Sequence, residues 1–292
     1  MKVIHYTVPV ANEDSIVIQN ETSPYFYNYL HRHKEAQITL ILRGEGTFIV
    51  GNYTQPFKEG EVYFIGANQP HMFKGGLNEK IPEMGAHAIH IFFDQNYLKP
   101  LLSFPEFNKV SKFFKPNLGS LHLPSKYSAT VAKDILSISK LGGLDRLVKF
   151  TYLLQFFATN VSNWKSLSTG LSFNSITESE GIRMNLVLQY TTEHFSKQIS
   201  LLKISSIAHM TPHGFCRYFK KHTRKTYIYF LNEIRINEAC RLLLKDHMDS
   251  IATIAYSTGF NNACTFNRAF KKMMGVSPSD YVKVYKLKME SV

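Results

Sequence analysis

Cysteine is scarce in this chain. There are three in 292 residues, Cys216, Cys240 and Cys264, an odd number without the density of a disulfide framework or the paired Cys or Cys-His spacing of a zinc finger. That usage fits a reducing compartment, so the expected location is the cytoplasm, with Cys240 read as a core residue. Long apolar runs are missing too. No stretch of about 18 apolar residues occurs, and the N-terminal MKVIHYTVPVANEDSIVIQN is broken by Pro9, Glu13 and Asp14 before a signal-length apolar core develops. The sequence therefore reads as neither membrane-spanning nor exported by that route.

Acidic residues are thin in the last third. Residues 181–292 hold 17 Lys and Arg against 7 Asp and Glu, net +10, whereas residues 1–180 hold 17 against 15, net +2. Concentrated positive charge suits a polyanion, because neutralising phosphates releases counterions from nucleic acid. Charge alone leaves anionic lipid or a merely solvated basic face open. With 22 Phe, 16 Tyr and 44% hydrophobic residues, the chain buries enough surface to exclude disorder as its dominant state. Its length suggests two domains of roughly 150 residues each.

The first 95 residues read as β-structure. Gln37–Leu42 and Thr47–Val50 are β-rich runs separated by the Gly44-Glu45-Gly46 turn signal, and short runs recur at 61–66 and 87–93. Close-spaced short strands predict a sandwich or barrel. From about Tyr97 the period changes, and Ala129–Leu141 and Leu144–Asn160 place apolar residues three and four apart, as helices do. These helices read either as a dimerisation element or as a pair that only covers the barrel. Trp164–Glu180, rich in Ser and Thr and lacking a period, reads as a linker. Beyond it, Ser200, Thr211-Pro212, Thr226, Ser250 and Ser277-Pro278 are helix-start signals, which predicts about seven short helices.

The C-terminal region repeats itself. Phe215-Cys216-Arg217-Tyr218-Phe219-Lys220-Lys221 recurs 51 residues later as Phe266-Asn267-Arg268-Ala269-Phe270-Lys271-Lys272. Each copy follows a short helix containing Ile-Ala (Ile207-Ala208 and Ile254-Ala255) and a tight turn, the helix-turn-helix order. Phe residues four apart form one apolar anchor, leaving Arg and Lys on another face, where they can read base edges and hold phosphates. A connecting helix from about Tyr227 to Leu244 spans roughly 27 Å, suited to holding two recognition helices near the ~34 Å spacing of successive major grooves.

At Ile254–Phe260, Phe266–Lys272, Gly275-Val276-Ser277-Pro278 and Tyr281 the chain resembles the AraC/XylS family of bacterial transcription regulators. Ile207–Phe230 resembles the family's first helix-turn-helix, and Arg235–Ala239 with Leu242-Leu243 its connecting helix, so the resemblance covers about 181–286. It implies sequence-specific binding to double-stranded DNA, activation or repression of transcription, and contact with RNA polymerase. Carried over by position, the base-reading candidates are His213, Cys216 and Arg217, then Asn262, Ala263, Cys264, Thr265, Asn267 and Arg268. Lys220, Lys221, Lys271 and Lys272 are the phosphate candidates. Arg224 stands where the family usually has Gly after its first recognition helix, which predicts a strained or reshaped turn. Small Ala263 and Cys264 offer little hydrogen bonding to bases.

The N-terminal histidines form a second motif. His31, His33, Glu35 and Gln37 alternate, so on one strand they share a face, and His71 follows at a distance. This resembles the cupin fold, whose metal-binding members present His-x-His, a carboxylate four residues later and a distant His. Here Gln37 holds the carboxylate position and Glu35 is displaced from it by two, and amide oxygen is the poorer transition-metal ligand. His31, His33, Gln37 and His71 thus read as an effector pocket, a divalent metal site or satisfied core groups. Of His87 and His90, at most one joins the pocket.

The expected fold is an α+β multidomain chain. It comprises a cupin-like barrel at 1–95, a helical dimerisation segment at 96–163, a linker at 164–180 and an all-α domain with two helix-turn-helix units at 181–292. The expected protein is a homodimeric, non-enzymatic regulator answering a small-molecule effector, its linker relaying the signal. A cupin metal enzyme tethered to DNA and an effector-independent regulator are the alternatives.

Overall fold

The computed structural model describes residues 4–5, 14–24, 26, 29–51, 53–75, 85–114, 119–167, 178–244 and 250–289. The N-terminal half is built from strands β1 (Ile4–His5), β2 (Ile16–Ser23), β3 (His31–Arg32), β4 (Ala36–Arg43), β5 (Gly46–Val50), β6 (Tyr53–Phe57), β7 (Val62–Ile65), β8 (His71–Gly75) and β9 (Ala86–Phe93). Two short strands, β10 (Leu121–His122) and β11 (Lys165–Ser166), join later in the chain. They form a five-stranded sheet in the order β1-β3-β8-β5-β6 and a six-stranded sheet in the order β11-β10-β7-β4-β9-β2.

Period-two alternation decides which side chain enters the barrel. On β4 and β9, Ile38, Leu40, Ile89, Ile91 and Phe93 face outward into an apolar layer with helices α1 (Gln95–Leu102), α2 (Asn108–Phe113), α3 (Ser128–Ile138) and α4 (Gly143–Thr159). Their neighbours Ile41 and Ala88 face inward with Phe48, Val50, Phe57, Tyr63 and Phe73. The Gly44-Glu45-Gly46 turn is not a hairpin, since β4 and β5 lie in different sheets. It crosses between them so tightly that a Cβ on Gly46 would sit 1.9 Å from the Lys74 carbonyl oxygen.

The five-stranded sheet has no water face over Leu30, Ile49 and Met72. These outward residues share a buried cluster with Met184, Val187 and Leu188 of the C-terminal domain. Burying side chains of this size stabilises by about 1.5–3 kcal/mol each, which accounts for apolar residues where an exposed sheet would alternate to polar. The layers are therefore helices, sheet, sheet and C-terminal domain.

The N-terminal unit extends past both expected boundaries. β10 and β11 add to the six-stranded sheet. Trp164, expected to open the linker, packs on Phe113 and Phe157 with ring centroids 5.8 and 5.2 Å away. Leu167 is buried in the barrel and its N–H donates to the Ser120 carbonyl at 2.7 Å. Residues 168–177 of the expected linker lie outside the described residues.

Seven helices follow among the described residues: α5 (Glu178–His194), α6 (Leu201–Ile207), α7 (Pro212–Thr223), α8 (Tyr227–Leu243), α9 (Ile251–Ser257), α10 (Ala263–Met274) and α11 (Pro278–Met289). No helix among these residues is long and apolar enough to cross a membrane.

Candidate nucleic-acid interface and barrel pocket

Each recognition helix starts on a side-chain cap. Thr211 Oγ1 accepts from the Gly214 N–H at 3.2 Å and opens α7; Asn262 Oδ1 accepts from the Thr265 N–H at 2.8 Å and opens α10. The preceding helices match likewise, with Ser200 and Ser250 accepting from Lys203 and Thr253 N–H groups.

The internal pairing of the units differs from the sequence reading. In the turns, Met210 N–H donates to Ser205 O at 2.9 Å and Phe260 N–H to Ala255 O at 3.0 Å, both from a residue next to one with positive φ, His209 at 54° and Gly259 at 93°. The structural equivalent of Ile254-Ala255 is thus Ile204-Ser205, an offset of 50, and not Ile207-Ala208. One extra residue, Asn261, restores the offset of 51 in α7 and α10. Its side chain accepts from Gln198 Nε2.

Phe215 and Phe219 are fully buried, as are Phe266 and Phe270. The opposite faces are open: His213, Cys216, Arg217, Lys220 and Lys221 are exposed, as are Cys264, Thr265, Asn267, Arg268, Lys271 and Lys272, while Ala263 is half-buried. Asn262 is exposed, and its Oδ1 serves as the α10 cap. The lysines crowd the last helical turns, where the helix dipole favours cations.

A brace between the two units went unread in the sequence. Arg235, buried in the middle of α8, donates from Nε to Phe195 O at 2.8 Å and from Nη2 to Lys197 O at 2.9 Å, before the first unit. Its guanidinium also lies 5.6 Å from the Phe260 ring centroid in the second unit. Gly259 completes the fit, since a Cβ there would meet Phe195 O at 2.6 Å.

In the barrel, His31 and His71 are register partners across β3 and β8, with ring centroids 4.2 Å apart. One ligand atom each from His31, His33 and His71 falls within 4.8 Å of the others, and all three residues are buried. Each Nδ1 is 2.8–2.9 Å from a backbone carbonyl, of Tyr29, Glu35 and Gln69 in turn. An Nδ1–H donated there leaves the lone pair on Nε2. Burial lowers all three pKa values, that of His31 to about 4, so the rings favour the neutral form. Nε2 of His71 is buried with no hydrogen-bond partner.

Glu35 does not share this pocket. Residues 33–35 carry the chain from one sheet to the other, so alternation does not run from His31 to Gln37, and Glu35 Oε2 stands 3.9 Å from His33 Nδ1, on the backbone side of that ring. The pocket wall instead includes Glu21, Gln37, His90, Phe73 and Phe92. Glu21 Oε2 lies 3.3 Å from His90 Nε2, and that hydrogen bond lowers the Glu21 pKa. His90 Nδ1 meets Gln37 at 2.8 Å, and Gln37 meets His33 Nε2 at 2.9 Å. Both ends of this chain, Glu21 and the Glu35 carbonyl, are acceptors. His87 points out of the pocket to Asn20 Oδ1 at 2.7 Å, leaving His90 as the one of the pair that joins.

A barrel of this topology joined to two helix-turn-helix units defines a DNA-binding transcriptional regulator with a cupin domain. Residues 204–283 match the family model of a helix-turn-helix domain, and residues 19–77 that of a cupin domain. The chain is 27% identical over 290 residues to an uncharacterized HTH-type transcriptional regulator, YdeC of Bacillus subtilis, covering 96% of this chain and 94% of that one. It is 21% identical over 250 residues to the HTH-type transcriptional activator RhaS of an Enterobacter species, covering 86% of each. Among solved structures it is similar to the DNA-binding domain of AdpA in complex with a target DNA, at 25% identity and a TM-score of 0.33, covering 35% of this chain and 91% of that one. The chain thus carries a helix-turn-helix domain behind a cupin domain, as a DNA-binding transcriptional regulator does.

Proposed function

We propose that the protein reads two adjacent major grooves of double-stranded DNA, one with α7 and one with α10, under control of a ligand in the barrel. The observation that carries this reading is the matched pair of capped helices, anchored by Phe pairs and braced by Arg235, with polar faces turned to solvent. Arg217 and Arg268 suit guanine O6 and N7, Asn267 suits adenine, and Ala263 and Cys264 suit thymine methyls. Lys220, Lys221, Lys271 and Lys272 hold phosphates. Selection from random duplexes gives the site. Arg217→Ala or Arg268→Ala then costs about 1–3 kcal/mol on it and relaxes particular positions, whereas Lys220→Ala weakens all duplexes alike. Equal losses on selected and random DNA for the Arg variants would reject the assignment.

The pocket fits a divalent transition metal. His31, His33 and His71 offer three nitrogen donors, with Gln37 beside His33. The orphaned Nε2 of His71 supports an occupant, since a buried unpaired polar atom is costly. A bound ion would supply positive charge able to hold an oxygen or nitrogen donor of an organic effector. Metal analysis of untagged protein, repeated on His31→Ala and His71→Ala, separates a bound cation from an organic ligand alone. The curated relatives named here are regulators, so we read the barrel as binding without catalysis.

A second copy suits α4, where Leu144, Val148 and Tyr152 are exposed at intervals of four. The working assembly is thus a cytoplasmic homodimer on DNA, in contact with RNA polymerase.

A further inference from the structure

The pocket and the DNA-binding domain are one backbone step apart. Leu30 precedes His31, Met72 follows His71, and alternation sends these neighbours out of the opposite face of the sheet. There they join Ile49 in one cluster with Met184, Val187 and Leu188 of α5 and Phe215 and Phe219 of α7. Charged contacts line the same seam. Arg241 of α8 donates to Glu45 Oε1 at 3.1 Å, and Lys74, the next outward residue on β8, senses Glu193 and Glu238 across it.

We propose that occupancy of the histidine pocket reaches the DNA-binding domain directly through this seam, from Leu30 and Met72 into α5 and α7, and not along residues 168–177. The proposal rests on the reading of the pocket as a binding site.

The donor atoms lie within 4.8 Å of one another, and bonds of about 2.0–2.1 Å to one tetrahedral ion hold nitrogens roughly 3.3 Å apart. Because His31 is on β3 and His71 on β8, an ion held by both would fix the spacing of those strands. Behind those strands stands close-packed apolar matter, which passes on a displacement that water would absorb. The linker route starts elsewhere. β11, the last described element before residue 168, is at the edge of the six-stranded sheet, whereas His31 and His71 are on the other sheet.

The test uses the full-length protein, Zn²⁺ as probe, and the selected duplex. Zn²⁺ affinity is read by competition with a chromogenic chelator and DNA affinity by fluorescence anisotropy. Zn²⁺ should change the wild-type DNA affinity by about fivefold or more, and DNA should change Zn²⁺ affinity by the same factor. Leu30→Ala and Met72→Ala should keep Zn²⁺ affinity within about twofold while the effect of Zn²⁺ on DNA affinity falls below about twofold. Glu45→Ala, at the seam's rim with the core intact, should reduce the effect as well. Replacing residues 168–177 by a Gly-Ser segment of equal length should leave it in place. An effect that survives the seam variants and vanishes with the linker change overturns the proposal, as does Zn²⁺ binding without any change in DNA affinity. Failure of the wild type to bind Zn²⁺ removes the metal reading alone. Coupling is then read from DNA affinity in a cycle of His71→Leu and Met72→Ala, where non-additivity supports the seam and additivity overturns it.

Discussion

Arg224 ends α7 with φ 58°, in the left-handed conformation that Gly275 adopts with φ 79° at the end of α10, and each N–H donates to the carbonyl four residues back at 2.9 Å. The turn keeps its glycine-like shape with an arginine in it, so the departure from the family pattern is met by strain and not by a reshaped turn. A side chain in this region costs roughly 1–2 kcal/mol, partly offset by the lower unfolded-state entropy of a non-glycine residue. Arg224→Gly should therefore stabilise the protein by about 0.5–1 kcal/mol in urea unfolding, and Arg224→Ala should not.

Arg235→Met tests the brace between the units. Losing the guanidinium leaves the Phe195 and Lys197 carbonyls without that donor, at a cost of about 2–4 kcal/mol in unfolding free energy from denaturant titration. Binding to a duplex carrying both half-sites should fall more than binding to either half-site alone. Equal losses on all three duplexes would show that Arg235 only stabilises the fold.

His122 gives a pH signature. It stacks on Tyr63 with centroids 4.7 Å apart, and its pKa is lowered to about 4, first by burial and then by Lys165 and Lys58. Glu61 stands 3.8 Å away, and burial raises its own pKa. A histidine with a depressed folded pKa contributes fully above its unfolded value, near 6.5, and the contribution is lost as pH falls toward 4. The pocket histidines act in the same direction, so the effect is read as a difference. His122→Phe should remove on the order of 2 kcal/mol of the acid destabilisation between pH 6.5 and 4. Parallel stability curves for the variant and the wild type would contradict it.

Leu144→Glu addresses the dimer. Leu144 is 72% exposed, so the substitution should leave monomer stability within about 0.5 kcal/mol. In sedimentation equilibrium it should shift a dimer to monomer. A wild type that is monomeric at all accessible concentrations would remove α4 as an interface.

The double helix-turn-helix was legible because its signals are local: Phe pairs four apart, side-chain caps and terminal lysines. The first helices align differently from the sequence reading because an Ile-Ala pair also stands at 207–208, three residues and nearly one helical turn after the structural equivalent Ile204-Ser205. The pocket was half legible. His31, His33, Gln37 and His71 do converge, but Glu35 was placed with them by an alternation that the crossing at 33–35 interrupts. Glu21 and His90 come from β2 and β9, paired through a register that no local pattern encodes. Arg235 was invisible as a brace, since a charged residue in a connecting helix ordinarily marks a solvent face.

The apolar outer face of the five-stranded sheet bears on how such chains can be recombined. A domain exchange made by cutting within residues 168–177 would part this face from its partner. Here Leu30, Ile49 and Met72 require a partner surface shaped like Met184, Val187 and Leu188, with acid and base matched at Glu45 and Arg241. A graft that ignores these positions would leave greasy patches on both halves, inviting aggregation of the hybrid, so the barrel and its reading head are expected to diverge as a matched set.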